Sequence, residues 1–437
     1  MGKPFEVKEF DSIICNADYK DDEKYKYLNQ KEFENLVAFI HEFTGDADSS
    51  DALDFMKIGY RRNVGEVVSI KNYVGLVQMK NGFQIQVLPK ISFGEEDEGN
   101  VQTKRVFLRM LRSMKDFPGK VFNEASLKVD QMNLYELFIN MYLQEVRQLV
   151  KRGIKSNYVG QEDNLRYYKG KLLVNQQVRA NLTHKERFYV AYEEFHPNRV
   201  ENRLVKATLA KLQKLTTSAE NSKEIRQLLT AFEMVDASLN YAKDFSQVFI
   251  NRNTKAYERL MQWSKVFLMN KSFTTFSGTT ASRALLFPME SVYESYVVRQ
   301  MKKVMSPEGW EVSSQDKGHY LFMEPRKQFA LRPDIVMKRE GRIIILDTKW
   351  KSLVNNERVN YGISQADMYQ MYAYSKKYNT PEIWLLYPVN DEMRNHYPIR
   401  FKSGDGTIVK LHFVDVSRIE ESLQELRDKL EEMTRDE

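Results

Sequence analysis

Cysteine is almost missing from this 437-residue chain. Cys15 stands alone, which excludes internal disulfides and thiolate zinc clusters and leaves one small side chain expected to be buried as an apolar residue. Nowhere do eighteen apolar residues run together, so no membrane-spanning helix is expected. The opening Met-Gly-Lys-Pro-Phe-Glu-Val-Lys lacks the apolar core of a signal peptide, and the expected location is the cytoplasm. A phosphate-cradling G-x-x-x-x-G-K-[ST] loop is absent, so no nucleotide is expected on this chain. No repeat of solenoid length occurs, and neither sign of charge dominates: 66 Lys and Arg against 60 Asp and Glu leave +6, too small an excess to identify a polyanionic partner by itself.

What is present is the composition of a folded, multidomain protein, with 42% hydrophobic and 29% charged residues. The pattern predicts a multidomain α+β chain in three parts. Residues 1–125 read as a mixed α/β domain, a β-meander with helices: Phe33, Leu36, Val37 and Ile40 recur at helical spacing over 31–43. Strands Val74–Met79 and Phe83–Leu88 flank a hairpin turn at Asn81-Gly82. The acidic run Glu95–Glu98 is expected to be a solvated loop before a basic helix near 102–114.

Residues 126–280 read as mainly helical. Leu134, Phe138, Met141, Val146 and Leu149 share one face, with Gly153 where a helix-ending glycine falls. A Tyr- and Lys-rich β insertion is expected near 156–192, then a helix capped by Asn198, then amphipathic helices near 222–234 and 255–268. Residues 281–437 read as an α/β domain with a mixed central sheet: helix 288–304, strands near 308–313, 319–324, 329–338 and 342–350, helix 363–378, strands 382–387 and 408–415, and helix 417–435.

The chemistry concentrates in Leu331-Arg-Pro-Asp334 and Asp347-Thr-Lys349. A two-residue turn at Glu340-Gly341 would set Asp334 directly opposite Asp347, with Cβ atoms about 5 Å apart. Two like charges in that position repel unless a hard cation shares them, which converts repulsion into coordination. Period-2 alternation sends Lys349 to the same face as Asp347. The run Ile343–Leu346 between them is apolar on both faces, as in a strand covered by helices on each side. Two acids, a lysine and Mg2+, with Mn2+ as a substitute, suit phosphodiester hydrolysis. The pattern is that of a PD-(D/E)xK nuclease, with Asp334, Asp347 and Lys349 as catalytic residues. Glu294 is the candidate third metal acid, and Gln370 and Tyr374, four apart on one helix, are supporting residues. Arg332 and Lys351 are candidate contacts to DNA phosphates.

These residues resemble the McrC family, the nuclease subunits of McrBC-type restriction systems directed against modified, 5-methylcytosine-containing DNA. The resemblance rests on Leu331–Asp334, Asp347–Lys349 and Asp367-Met-Tyr-Gln-Met-Tyr-Ala-Tyr374. It extends to Tyr192–Phe195, Val200–Leu204 and Ile85–Ile91. It implies an endonuclease that docks through its amino-terminal part onto McrB, an AAA+ GTPase ring, stimulates GTP hydrolysis there and cuts double-stranded DNA with Mg2+. The missing nucleotide loop agrees with this division of labour. A finger entering the ring is implied too; the Asn81-Gly82 hairpin and the 156–192 segment are its candidates, with Arg166 and Arg179 as residues acting on the ring. Two other readings remain at this stage: a stand-alone nuclease of the same fold, and a non-enzymatic adaptor of the ring.

Overall fold

The computed structural model describes residues 4–44, 55–79, 81–93, 99–115, 117–118, 132–269 and 283–432. The chain forms two compact units, one of residues 125–272 and one made by 2–124 together with 273–437. The acidic run Glu95–Glu98 lies outside the described residues.

The first segment carries β1 (Phe5–Lys8), β2 (Ser12–Ile14), β3 (Tyr25–Tyr27), α1 (Gln30–Thr44), β4 (Met56–Arg61), β5 (Gly65–Ile70), β6 (Tyr73–Gln78), β7 (Gln84–Leu88) and α2 (Gly99–Leu111). One sheet runs β3-β2-β5-β4; a second sets β1 parallel to β7 and β7 antiparallel to β6. The predicted face of α1 is buried at Phe33, Leu36 and Ile40, against Ile13, Val68, Val77 and Ile85 from both sheets. Cys15 is half-buried beside that core rather than enclosed by it. The β6–β7 turn falls at Asn81-Gly82 as its sequence requires, since Gly82 has φ +84°, a conformation glycine adopts without a Cβ clash. Asn81 accepts the Phe83 N–H at 2.9 Å and donates to Glu32 on α1 at 2.9 Å, so the turn is tied down.

The middle unit holds α3 (Leu134–Arg152), β8 (Asn157–Leu165), β9 (Lys171–Leu172), α4 (Val174–Ala180), β10 (Phe188–His196), α5 (Val200–Leu215), α6 (Ala219–Thr230), α7 (Tyr241–Gln247) and α8 (Glu258–Met269). Asn133 caps α3 by accepting the Glu136 N–H at 2.9 Å. Buried Glu136 is fully engaged, accepting from Thr216, Thr217 and Asn221, as a carboxylate removed from water must be. The 156–192 segment is a three-stranded sheet, β8-β10-β9, interrupted by α4, a helix that periodicity does not announce because its Val174 and Val178 face solvent. The expected Asn198 cap is a correction. Arg199 occupies the N-cap of α5, while Asn198 turns away to bridge Asp236, accepting its N–H at 3.0 Å and donating to its carboxylate at 2.7 Å.

The last segment supplies β11 (Arg283–Pro288), α9 (Met289–Met305), β12 (Glu311–Ser314), β13 (Tyr320–Phe322), β14 (Gln328–Ala330), β15 (Ile335–Arg339), β16 (Arg342–Thr348), α10 (Gln365–Tyr378), β17 (Glu382–Pro388), β18 (Arg400–Lys402), β19 (Ile408–Val414) and α11 (Ile419–Glu432). β11 leaves this segment's own sheet and pairs antiparallel with β6, placing Leu286 in the core beneath α1. The remaining strands form a six-stranded mixed sheet, β12-β15-β16-β17-β19-β18, with β16, β17 and β19 parallel. α10 packs on one face, and α9 and α11 on the other. Sandwiched β16 therefore buries Ile344, Ile345 and Leu346 completely, each contributing about 1.5–3 kcal/mol relative to exposure. The single strand expected over 329–338 is two, β14 and β15. Pro333 between them has no N–H to offer a ladder, and the chain leaves extended pairing there.

Candidate active site

The β15–β16 hairpin takes the register its turn demands, from Arg339↔Arg342 to Ile335↔Leu346. Glu340 and Gly341 both have positive φ, +52° and +85°, the twist that two-residue hairpin turns favour. One step beyond the ladder, Asp334 is tied to the strand that carries Asp347. Its Oδ2 accepts the backbone N–H of Thr348 at 2.7 Å and the Thr348 hydroxyl at 2.6 Å, and its own carbonyl accepts the Gln315 N–H at 3.1 Å. The acid is thereby locked beside the strand end that carries Asp347.

Asp347 is 1% exposed. Burial, then the neighbouring Asp334 charge, pushes its carboxyl up to about 7, against the pull of Lys349. The Lys349 ammonium lies 2.6 Å from Asp347 Oδ2 and 3.9 Å from Asp367. Burial works against that ammonium, but Asp347, Asp367 and Asp334 outweigh it and hold its pKa above the ordinary lysine value. Its fourth neighbour is Gln370, whose Oε1 accepts from Nζ at 3.4 Å while its amide nitrogen donates to the Tyr374 hydroxyl at 2.7 Å. Lys349, Gln370 and Tyr374 thus form one chain of contacts.

Glu294 approaches from α9. Burial and the Asp334 charge both raise its pKa, and Gln315 donates to it at 2.9 Å. Arg332 is exposed and makes no ion pair among the described residues, and Lys351 donates to the Gly362 carbonyl. Arg166 and Arg179 are exposed in the middle unit.

Three participants have no role assigned from the sequence, although Asp367 stands in one of the motifs that carry the resemblance. Asp367 sits three residues before Gln370 and seven before Tyr374, a spacing that shares one helical face, so the signal was available. Gln315 and Glu9 left none. Glu9, fully buried just past β1, accepts from the Trp350 indole N–H with both oxygens at 3.0 Å and from the Lys90 N–H at 3.1 Å. Burial pushes its pKa up to about 8, against those hydrogen bonds. Trp350 also meets the Tyr293 ring at 5.2 Å. The residue following Lys349 is therefore clamped from two sides.

Among the described residues no three His, Cys, Asp or Glu side chains already stand in a metal-ligand cluster. The donor set nevertheless fits a hard divalent cation. The Asp334 charge raises the proton affinity of both Asp347 and Glu294, as it would where acids lack a neighbouring cation, and all three side chains offer oxygen.

A family model described as McrBC 5-methylcytosine restriction system component matches residues 68–388. Among solved structures, a chain from the half-complex of a tetradecameric assembly of Thermococcus gammatolerans McrB AAA+ hexamers with bound McrC superposes with TM-score 0.71 at 19% identity. That match covers 99% of this chain and 100% of that one, and at this identity it shows the fold. A chain from the Thermococcus gammatolerans McrBC complex gives TM-score 0.49 at 20% identity, over 69% of this chain and 88% of that one. Comparison with curated proteins gave no match. No described helix is long and apolar enough to cross a membrane.

Proposed function

The chain belongs to the family of McrBC 5-methylcytosine restriction system components, and on that premise we propose that it is the DNA-cutting subunit of such a system, a Mg2+-dependent endonuclease of the PD-(D/E)xK type. The observation that carries this reading is the meeting of Asp334, buried Asp347 and the Lys349 ammonium at the end of one strand pair, with Lys349 2.6 Å from Asp347. An ordinary sheet avoids buried, mutually repelling acids. Here they persist, fixed by Thr348 and attended by Gln370 and Tyr374.

Asp334, Asp347 and Glu294 would hold the cation, which when bound supplies charge neutralisation at a phosphoryl oxygen and a more acidic water. Lys349 offers an ammonium to the charge that develops on the phosphate. Gln370, held by Tyr374, keeps that ammonium from swinging to solvent, and Arg332 and Lys351 contact flanking phosphates, adding affinity without reading sequence.

The partner in this proposal is an AAA+ ring of the McrB type, the kind named in the structure of similar fold, acting as a GTPase. The β8–β10 segment supports docking: Tyr158, Tyr167, Tyr168, Val178 and Leu182 are all exposed on it, more apolar surface than a free sheet usually leaves bare. Arg166 and Arg179 lie in the same segment and are the candidates for stimulating GTP hydrolysis.

The test is cleavage of methylated duplex by the assembled system with Asp347→Ala or Lys349→Ala. Loss of cutting with assembly and GTP turnover retained is expected. Undiminished cutting would refute the nuclease assignment, and GTP-independent cutting by the isolated chain would refute the need for the ring.

A further inference from the structure

Between β12 and the catalytic hairpin the chain makes a separate two-stranded ribbon, β13–β14, joined by register Tyr320↔Ala330 and Phe322↔Gln328. The ribbon is anchored at its base. Leu331 N–H donates to the His319 carbonyl at 2.9 Å, and the His319 ring lies 4.0 Å from that of Tyr378 on α10, the helix that carries Gln370 and Tyr374. Only Leu331, Arg332 and Pro333 separate its last strand from Asp334.

Its tip is apolar yet exposed: Phe322 is 55% exposed, Met323 57% and Phe329 67%. Regular alternation would send Phe329 to the face opposite Phe322. Phe329 instead has φ +55°, a conformation rare for a bulky side chain, and the two rings meet edge to face at 5.9 Å. A strained backbone that brings two rings together in solvent gains the protein little by itself, and such outliers gather at ligand-contacting sites. Charge selects the ligand. Residues 316–332 hold four basic side chains, Lys317, Arg326, Lys327 and Arg332, against two acids, Asp316 and Glu324. Among the described residues Lys317, Arg326 and Arg332 make no ion pair, and Lys327 rests over the Tyr320 ring.

We propose that the β13–β14 ribbon is a DNA wedge, its Phe322–Phe329 pair and Met323 pressing into a base step beside the scissile phosphate while Lys317, Arg326 and Lys327 hold the backbone. The proposal rests on the nuclease reading and adds a contact to it. Phe and Met are the kinds of side chain that unstack a step, and basic neighbours offset the repulsion among the phosphates that bending brings together. A wedge set three residues from a catalytic acid would fix where the strand bends relative to where it is cut.

The experiment uses the full chain carrying Asp347→Asn, so that duplex survives, and a methylated duplex containing 2-aminopurine as the probe of unstacking. Probe fluorescence is expected to rise on binding with the native ribbon. With Phe322→Ala/Phe329→Ala the rise should disappear and affinity should fall roughly tenfold, the scale of losing one or two stacking contacts. Phe322→Trp/Phe329→Trp should restore both. Equal fluorescence and affinity in parent and alanine variant would overturn the wedge. So would an alanine variant whose only change is loss of self-association by light scattering, which would make the tip a contact between copies of the chain. Failure of the nuclease reading shows up separately, as Asp347→Ala that still cuts.

Discussion

One Asp334 oxygen accepts both hydrogen bonds that Thr348 can donate, from its N–H at 2.7 Å and from its hydroxyl at 2.6 Å. This pair fastens the Pro-Asp loop to β16 past the point where the β15–β16 ladder ends. Asp334 is therefore both a candidate metal ligand and a clasp, and the two roles separate by mutation. Thr348→Val keeps the N–H bond and removes the hydroxyl's, so about 1 kcal/mol of stability should go, with cutting slowed and not abolished. Asp334→Ala leaves a nearly buried N–H unpaired and should cost about 1–3 kcal/mol and all cleavage. Urea denaturation beside single-turnover rates measures both; a Thr348→Val protein indistinguishable from parent would deny the clasp.

Lys349 lies between Asp347, Asp367 and Gln370. Removing its ammonium with Lys349→Ala is expected to lower the cleavage rate by about 10²–10³-fold, the scale of deleting a donor to developing charge. Lys349→Arg should fail to restore it, because the planar guanidinium cannot occupy a site shaped for one compact cation. An arginine variant with native rates would place the lysine outside the chemistry.

Cation binding is open to a measurement that needs no DNA. Mg2+ or Mn2+ should raise the melting temperature of the native chain with the dependence on concentration expected for a ligand bound only by the folded state. Asp347→Asn should abolish the shift, since a neutral amide is a poor ligand for a hard ion. An equal shift in that variant would locate the ion elsewhere. Chelation should stop cleavage by the assembled system, and Mg2+ should restore it.

Glu9 sets a pH dependence. Its carboxyl holds a proton in the folded chain up to about pH 8, against an ordinary value of 4.5. Between those values the folded state binds more protons than the unfolded one, so this contribution to stability is full below about 4.5 and falls as pH rises through 8. Glu9→Gln, which still accepts from Trp350 and Lys90, should flatten that decline, whose slope approaches about 1.4 kcal/mol per pH unit. Chemical denaturation at intervals from pH 5 to 9 tests it, and parallel curves for the two proteins would rule it out.

Much of this was legible in the residues. The 340–341 turn chemistry fixed the hairpin register, the Ile343–Leu346 run announced a strand covered on both faces, and four-residue spacing brought Gln370 and Tyr374 together. What could not be read depends on contacts distant in sequence or on side chains choosing between partners. Nothing near residue 9 hints at an indole 341 positions away. Asn198 offers the composition of a cap, but Asp236 provides a better pair of bonds. α4 hides because its apolar residues face outward, so the periodic signal of a packed helix never arises.

The pairing of β11 with β6 reaches beyond stability. A minimal scissor cut out at residue 281 would carry away one rail of a sheet whose other rails stay behind, leave the raw edge of β11 without its hydrogen-bonding mate, and strip Trp350 of Glu9. Blade and handle were forged as one piece, and transplanting the proposed cutting activity onto another protein would have to bring the opening strands along.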